Sequence, residues 1–226
     1  MKKAENNSRL RREKERQARR GEILEAAERI FRRKGFARAS MDEIAAEAQF
    51  TKRTVYMYFV DKEDLLYAVA LEASKRLFVR QQAILAEEGA GLAKIGRAAL
   101  AYYEFSRDLP DLFRLVEEAR HLKPRRKDTP GRSAFVRYRA DMFGEYGKAL
   151  RAGVSDGSVR SDIDPELLVY AFVLILTGFF QALSEAAAAG AFESGADAFA
   201  KLTLDLVSDA LRPPLVPSPC LRNSKK

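Results

Sequence analysis

The sequence predicts an all-α protein, with a small three-helix N-terminal unit followed by a larger helical body. Three observations carry that prediction. Apolar residues recur at intervals of three and four, as in Ile23, Leu24, Ala27, Ile30 and Phe31, the period of a helix with one buried face. Capping residues, glycines and prolines divide the chain into helix-length pieces. Strand-like alternation is absent, and so is a glycine-rich phosphate loop.

Each element can be justified in order. Residues 1–16, MKKAENNSRLRREKER, hold seven Lys/Arg against three Glu and read as a mobile basic arm or a frayed first helix. The apolar period begins after Gln17 and stops at Lys34. There Gly35 and Phe36 form a helix stop, the glycine turning left-handed and the apolar residue folding back. SMDEIAAEA opens a second helix. Its Ser40 and Glu43 have the spacing of a capping box, and Met41, Ile44, Ala45 and Ala48 share one face. After the break QFT, Thr51 caps a short third helix from Lys52 to about Tyr58. Asp61 caps a fourth, covering 62–85. Beyond Gly89 and Gly91, helices are predicted at roughly 92–107, 110–122, 132–152, 165–188 and 195–211, with prolines at two of the starts. KPRRKDTPG (123–131) is a basic loop and GVSDGSVRSDID (153–164) a turn-rich one. The chain thus divides into a basic flexible arm 1–16, a three-helix domain 17–62, a helical body 63–212, and a tail 213–226 expected to be disordered.

Charge separates the two parts. The 226 residues carry a net charge of +8. Residues 1–62 hold 17 Lys/Arg against 10 Asp/Glu, and the other 164 hold 23 against 22. A basic end on a near-neutral body suggests a polyanion partner for the end alone. The lone cysteine, Cys220, excludes a disulfide framework and fits a reducing cytoplasm. With one histidine, His121, there is little material for a nucleophile or metal site, so no cofactor or metal is expected and an enzyme is the weaker alternative. The N-terminus lacks the apolar stretch of a signal peptide. LLVYAFVLILTGFFQALS (167–184) is 18 residues without a charge, the lower limit for a membrane span. Its flanks are Glu166 and Glu185 rather than a Lys/Arg cluster, and it contains Thr177, Gln181 and Ser184. A helix buried between its own core and a partner subunit accounts for it better than a bilayer does.

The stretch QFTKRTVYMYF (49–59) points to function. Two short helices separated by three residues, the second bearing Lys, Arg, Thr and Tyr, make a helix-turn-helix. On a wheel of about 100° per residue, Val55 and Phe59 fall together and face inward. Arg53 and Met57 lie opposite, with Thr54 and Tyr56 on the flanks. Arginine can donate twice to a guanine edge and apolar atoms can meet a thymine methyl. Hydroxyls and lysines bind phosphates and set the register.

Residues 17–66 resemble the DNA-binding domain of the tetracycline-repressor (TetR) family of bacterial regulators. ILEAAERIFRRKGF, SMDEIAAEA and TKRTVYMYFVDKEDLL carry the resemblance, most specifically in T-V-Y-x-Y-F-x-x-K-E-x-L. It implies that Lys52, Arg53, Tyr56 and Met57 approach bases in double-stranded DNA. Ser40, Thr54, Tyr58 and Lys62 would meet phosphates, Lys62 at the positive end of the fourth helix. The chain departs from the family in having Gln49–Phe50 where many members have Gly-Val, and Arg53 where they have a small residue. If the turn needs a positive φ, Gln49 costs about 1 kcal/mol there. The arm, with Arg9, Arg11, Arg12 and Lys14, is either a minor-groove contact or a solubilising tail.

One such unit reads few base pairs, so a homodimer on a palindrome is expected. Its interface is assigned to Phe172, Gly178, Phe179, Ala182, Ala186, Phe199, Leu202 and Leu206 on the last two helices, where small residues at four-residue spacing permit close approach. The middle helices are rich in aromatics. An unknown small-molecule effector, lipophilic in character, would be lined by Tyr102, Phe105, Phe113, Tyr138, Phe143 and Phe172. The expected function is a ligand-responsive transcriptional regulator, most simply a repressor, in the cytoplasm. A nonspecific DNA-binding protein is the alternative.

Overall fold

The computed structural model describes residues 2–190 and 195–214, so from residue 215 onward the expected disordered tail lies outside the described residues. The described residues form α1 (Lys2–Lys34), α2 (Met41–Glu47), α3 (Lys52–Tyr56), α4 (Lys62–Ala86), α5 (Gly91–Asp108), α6 (Pro110–His121), α7 (Pro130–Ser155), α8 (Pro165–Ala188) and α9 (Ala196–Leu211), with no strand among them. Residues 2–16 are the first turns of α1 and not an irregular arm. Helical spacing puts Arg11 next to Glu15 (3.0 Å) and Gln17 next to Glu13 (2.9 Å), contacts that support an exposed helix.

The local signals act as their chemistry requires. Gly35, at φ +78°, donates its N–H to Phe31 O (2.8 Å), and the Phe36 ring returns edge-on to Phe31. Ser40 Oγ accepts from the Glu43 N–H (3.2 Å) while Glu43 Oε2 accepts from the Ser40 N–H (3.0 Å), so both halves of the capping box are made. Asp61 Oδ1 accepts from the Asp64 N–H (2.8 Å) at the start of α4, and Asp164 Oδ1 from the Glu166 N–H (2.9 Å) at the start of α8. Helix α3 is shorter than expected because the chain tightens at its end: the Tyr58 N–H reaches Val55 O, three residues back (3.0 Å).

The chain forms two compact units that do not follow its linear order. The first joins Met1–Lys75 to Asp111–Tyr138, the second Arg76–Pro110 to Arg139–Lys226. Accordingly α4 and α7 each contribute to both. The core of the first unit contains Ile23, Phe31, Ile44, Val55, Phe59 and Leu65, all almost fully buried. It is completed by α6 and the start of α7. Buried Asp64 accepts from the Gly131 N–H (2.7 Å) and the Val60 N–H (3.1 Å). The backbones meet so closely that a Cβ on Gly131 would lie 2.4 Å from Asp64 O. No hydrophobic period announces this junction, which unites residues 67 apart. In the second unit, α5, α8 and α9 pack around Ile95, Leu176 and Phe180, and Tyr103 of α5 donates to Asp197 Oδ1 of α9 (2.5 Å). Burial, and then that bond, push the Tyr103 hydroxyl up to about 12, while the same bond, and then Arg107, hold the Asp197 carboxyl below its ordinary range.

Candidate nucleic-acid interface

The turn between α2 and α3 places the reading helix. The Gln49 N–H donates to Ala46 O (3.1 Å) and the Phe50 N–H to Ala45 O (2.9 Å), the paired bonds of a Schellman motif. Such a turn needs a left-handed residue, and Gln49 takes that role at φ +57°. Thr51 then caps α3, its Oγ1 accepting from the Thr54 N–H (3.2 Å). Val55 and Phe59 are buried beneath the helix, and the Arg20 guanidinium lies 5.1 Å from the Phe59 ring centre.

Above that anchor the outer face is open. Arg53 is exposed, Met57 is 71% exposed and Tyr56 46%. Lys52 is also exposed but donates to Asp42 Oδ2 (2.9 Å), a bond that raises its pKa; a phosphate can compete for such a surface pair. Thr54 and Tyr58 are half-buried at the rim, the Thr54 hydroxyl 2.9 Å from that of Thr51.

Two of the expected phosphate ligands have internal work instead. The Lys62 ammonium donates to Phe36 O (2.8 Å), Ala37 O (3.2 Å) and Ala39 O (2.8 Å) and sits 4.5 Å from the centre of the Phe36 ring. Its three hydrogens are thereby used. Burial, then the charge of Arg125, draws its pKa down. Lys62 therefore ties the loop after α1 to the start of α4. Ser40 is similarly occupied: besides accepting from the Glu43 N–H, its hydroxyl donates to Glu43 Oε2 (3.1 Å). Glu43 is held below the usual carboxylate range first by the Lys34 hydrogen bond and then by Ser40.

A second basic feature of this unit lies on α1. Arg12, Arg16 and Arg19 of α1 line an open groove of about 340 Å³ together with Glu15, Met57 and Tyr58. Their spacing, four and then three, is a helical signal that runs across the expected boundary at residue 16.

The residues assigned to an effector are divided between the two units. Phe113 and Tyr138 belong to the first unit, where Phe113 is core. Tyr102, Phe105, Phe143 and Phe172 belong to the second. Phe172 is also displaced from the assigned dimer face, being buried against Tyr146 with ring centres 6.0 Å apart. The rest of that assignment is mostly at the surface. On α9, Phe199, Leu202 and Leu206 are exposed. On α8, Gly178 and Ala182 are exposed, Phe179 and Ala186 half-buried, and Leu167, Tyr170, Leu174 and Ile175 add exposed apolar area. The helix Pro165–Ala187 is long and apolar enough to cross a membrane by length and composition. His121 lies 3.7 Å from Glu117, and among the described residues no group of three His, Cys, Asp or Glu could hold a metal ion.

Comparison with known proteins bears on this geometry. The family model described as "Bacterial regulatory proteins, tetR family" matches residues 23–69, from within α1 to within α4. The transcriptional repressor KstR2 of Mycolicibacterium smegmatis is 27% identical over 157 residues, 69% of this chain and 74% of the repressor. The transcriptional repressor AcnR of Corynebacterium diphtheriae is 26% identical over 195 residues, 86% of this chain and 92% of its own length. Among solved structures, the transcriptional regulator FadR from Bacillus subtilis, in complex with stearoyl-CoA, shares the fold with a TM-score of 0.64 at 17% identity, over 84% of this chain and 98% of that one. With their capped, outward-facing α3, residues 23–69 of this chain form a DNA-binding domain of the TetR family of bacterial regulatory proteins.

Proposed function

We propose that the chain acts as a homodimeric repressor in the cytoplasm, binding a palindromic operator and leaving it when a small lipophilic effector binds. The observation that carries this reading is the orientation of α3: Val55 and Phe59 hold it down while Arg53, Tyr56 and Met57 face out. Arg53 presents paired donors to a guanine edge, and Met57 apolar atoms to a thymine methyl. Lys52 and Tyr56 extend the base-reading face, while Thr54 and Tyr58 meet phosphates at its rim.

The surface of the second unit supports pairing. Exposed Leu167, Tyr170 and Leu174 on α8 and Leu202 and Leu206 on α9 are covered best by a second copy. A bilayer fits poorly, because α9 also exposes Asp197, Lys201, Asp205 and Asp209. The effector reading rests on unit-two chemistry. Gln81 is buried, donating to Tyr146 Oη (2.6 Å) and Ala98 O (2.9 Å), and its Oε1 has no partner. An apolar ligand carrying one hydroxyl would complete that pair. FadR, which has the same fold, is bound to stearoyl-CoA, in keeping with a lipophilic ligand. Release requires that the effector favour one dimer geometry over another.

Selection from random duplex DNA by the purified protein tests the reading. The expected product is an inverted repeat, bound roughly 1–3 kcal/mol less tightly by Arg53→Ala, with relaxed preference at one base pair of each half-site. Recovery of no consensus would replace specific recognition by the nonspecific alternative.

A further inference from the structure

Helix α1 changes character along a single line. Arg12, Arg16 and Arg19 fall within an arc of roughly 60° on a helical wheel. Continued toward the C-terminus, the same line carries Ile23, Ala27 and Ile30, which are buried against the rest of the first unit. The face that docks the helix is therefore apolar where it meets the core and cationic where it runs past it. All three arginines are exposed, and among the described residues no carboxylate pairs with them. The one acidic neighbour in their groove, Glu15, is held by Arg11 on another face of the helix (3.0 Å). The groove also contains Met57 and Tyr58, so the stripe opens onto the same surface as the end of the reading helix.

We infer that Arg12, Arg16 and Arg19 form a second, rigid DNA contact, a ladder about 10 Å long that grips backbone phosphates beside the groove entered by α3. The inference rests on the DNA-binding reading of α3 and adds to it residues that carry affinity without sequence preference. A helical ladder differs from a basic arm in two ways. Its guanidiniums are spaced before binding, so little ordering entropy opposes the contact. It also acts through one face, so cations elsewhere on the same helix contribute little.

The test uses the full chain and two duplexes, the selected operator and a scrambled sequence of equal length, titrated across salt concentrations. The variant R12Q/R16Q/R19Q retains helix-forming side chains, and circular dichroism checks its helicity. The salt dependence of log K is expected to become shallower by roughly 2–3, since each lost phosphate contact removes roughly 0.9 from the slope. Both duplexes should lose affinity by a similar factor, tens-fold near physiological salt, leaving their ratio unchanged. K14Q, on the opposite face of the same helix, should leave the slope nearly as in the wild type. An unchanged slope in the triple variant overturns the ladder while specific wild-type binding still upholds α3 as the reader. An equal loss per charge in both variants also overturns it, leaving only net charge. If the wild type prefers neither duplex, specific reading by α3 fails as well.

Discussion

Gln49 shows how one residue sets the aim of a recognition helix. Its φ of +57° is what lets the Phe50 N–H return to Ala45 and turn the chain into α3. A side chain in that region costs roughly 1–2 kcal/mol, and glycine removes the strain while giving back roughly 0.5–1 through the freer unfolded chain. Gln49→Gly is therefore expected to raise stability by roughly 0.5–1 kcal/mol, and Gln49→Val to lower it by at least as much. Urea midpoints of both variants check the sign, and a destabilised glycine variant would contradict it. Lys62 and Ser40 make the complementary point. Both have the chemistry of phosphate ligands, yet Lys62 is spent on three carbonyls and Ser40 on Glu43.

Among elements, the contact of α5 with α9 has a pH dependence that can be worked out. Asp197 has a lowered pKa, first because Tyr103 donates to it and then through Arg107. A carboxylate depressed in the folded state contributes stability above its unfolded pKa and loses it as pH falls through the folded value. Stability should therefore decline below about pH 4, and Tyr103→Phe should decline less over that window while differing most from the wild type near neutrality. Denaturation midpoints from pH 7 to pH 2.5 measure this. A Tyr103→Phe curve parallel to that of the wild type would show that the bond does not couple to folding. Helix α3 behaves oppositely: at five residues it is too short to persist alone, and it depends on Thr51 and on its two buried anchors.

At the scale of the whole molecule, α8 and α9 leave Leu167, Tyr170, Leu174, Leu202 and Leu206 exposed among the described residues. Charge placed on that apolar surface should prevent pairing without harming the core of one copy. Leu202→Glu with Leu206→Glu alters two exposed positions, so the fold is expected to persist. Sedimentation should report a monomer. Affinity for an inverted repeat should drop by roughly 10²–10⁴-fold towards that of a half-site, because the second reader is no longer tethered. A variant that still sediments as a dimer would move the interface elsewhere.

Much of this was legible along the chain. The helices, their caps and the inward pair Val55 and Phe59 follow from periods and neighbours a few residues apart, and such interactions are encoded locally. The outward face of α3 was legible for the same reason, since one short helix leaves only one side free. Distant partners decided the rest. Asp64 seated on Gly131, Lys62 drawn to the carbonyls of residues 36–39, and the division of the aromatics between two units depend on chain segments that meet only after folding. A sequence states what a side chain can donate or accept. Which group receives it is settled when remote backbone and side chains compete in three dimensions for the same few hydrogen bonds.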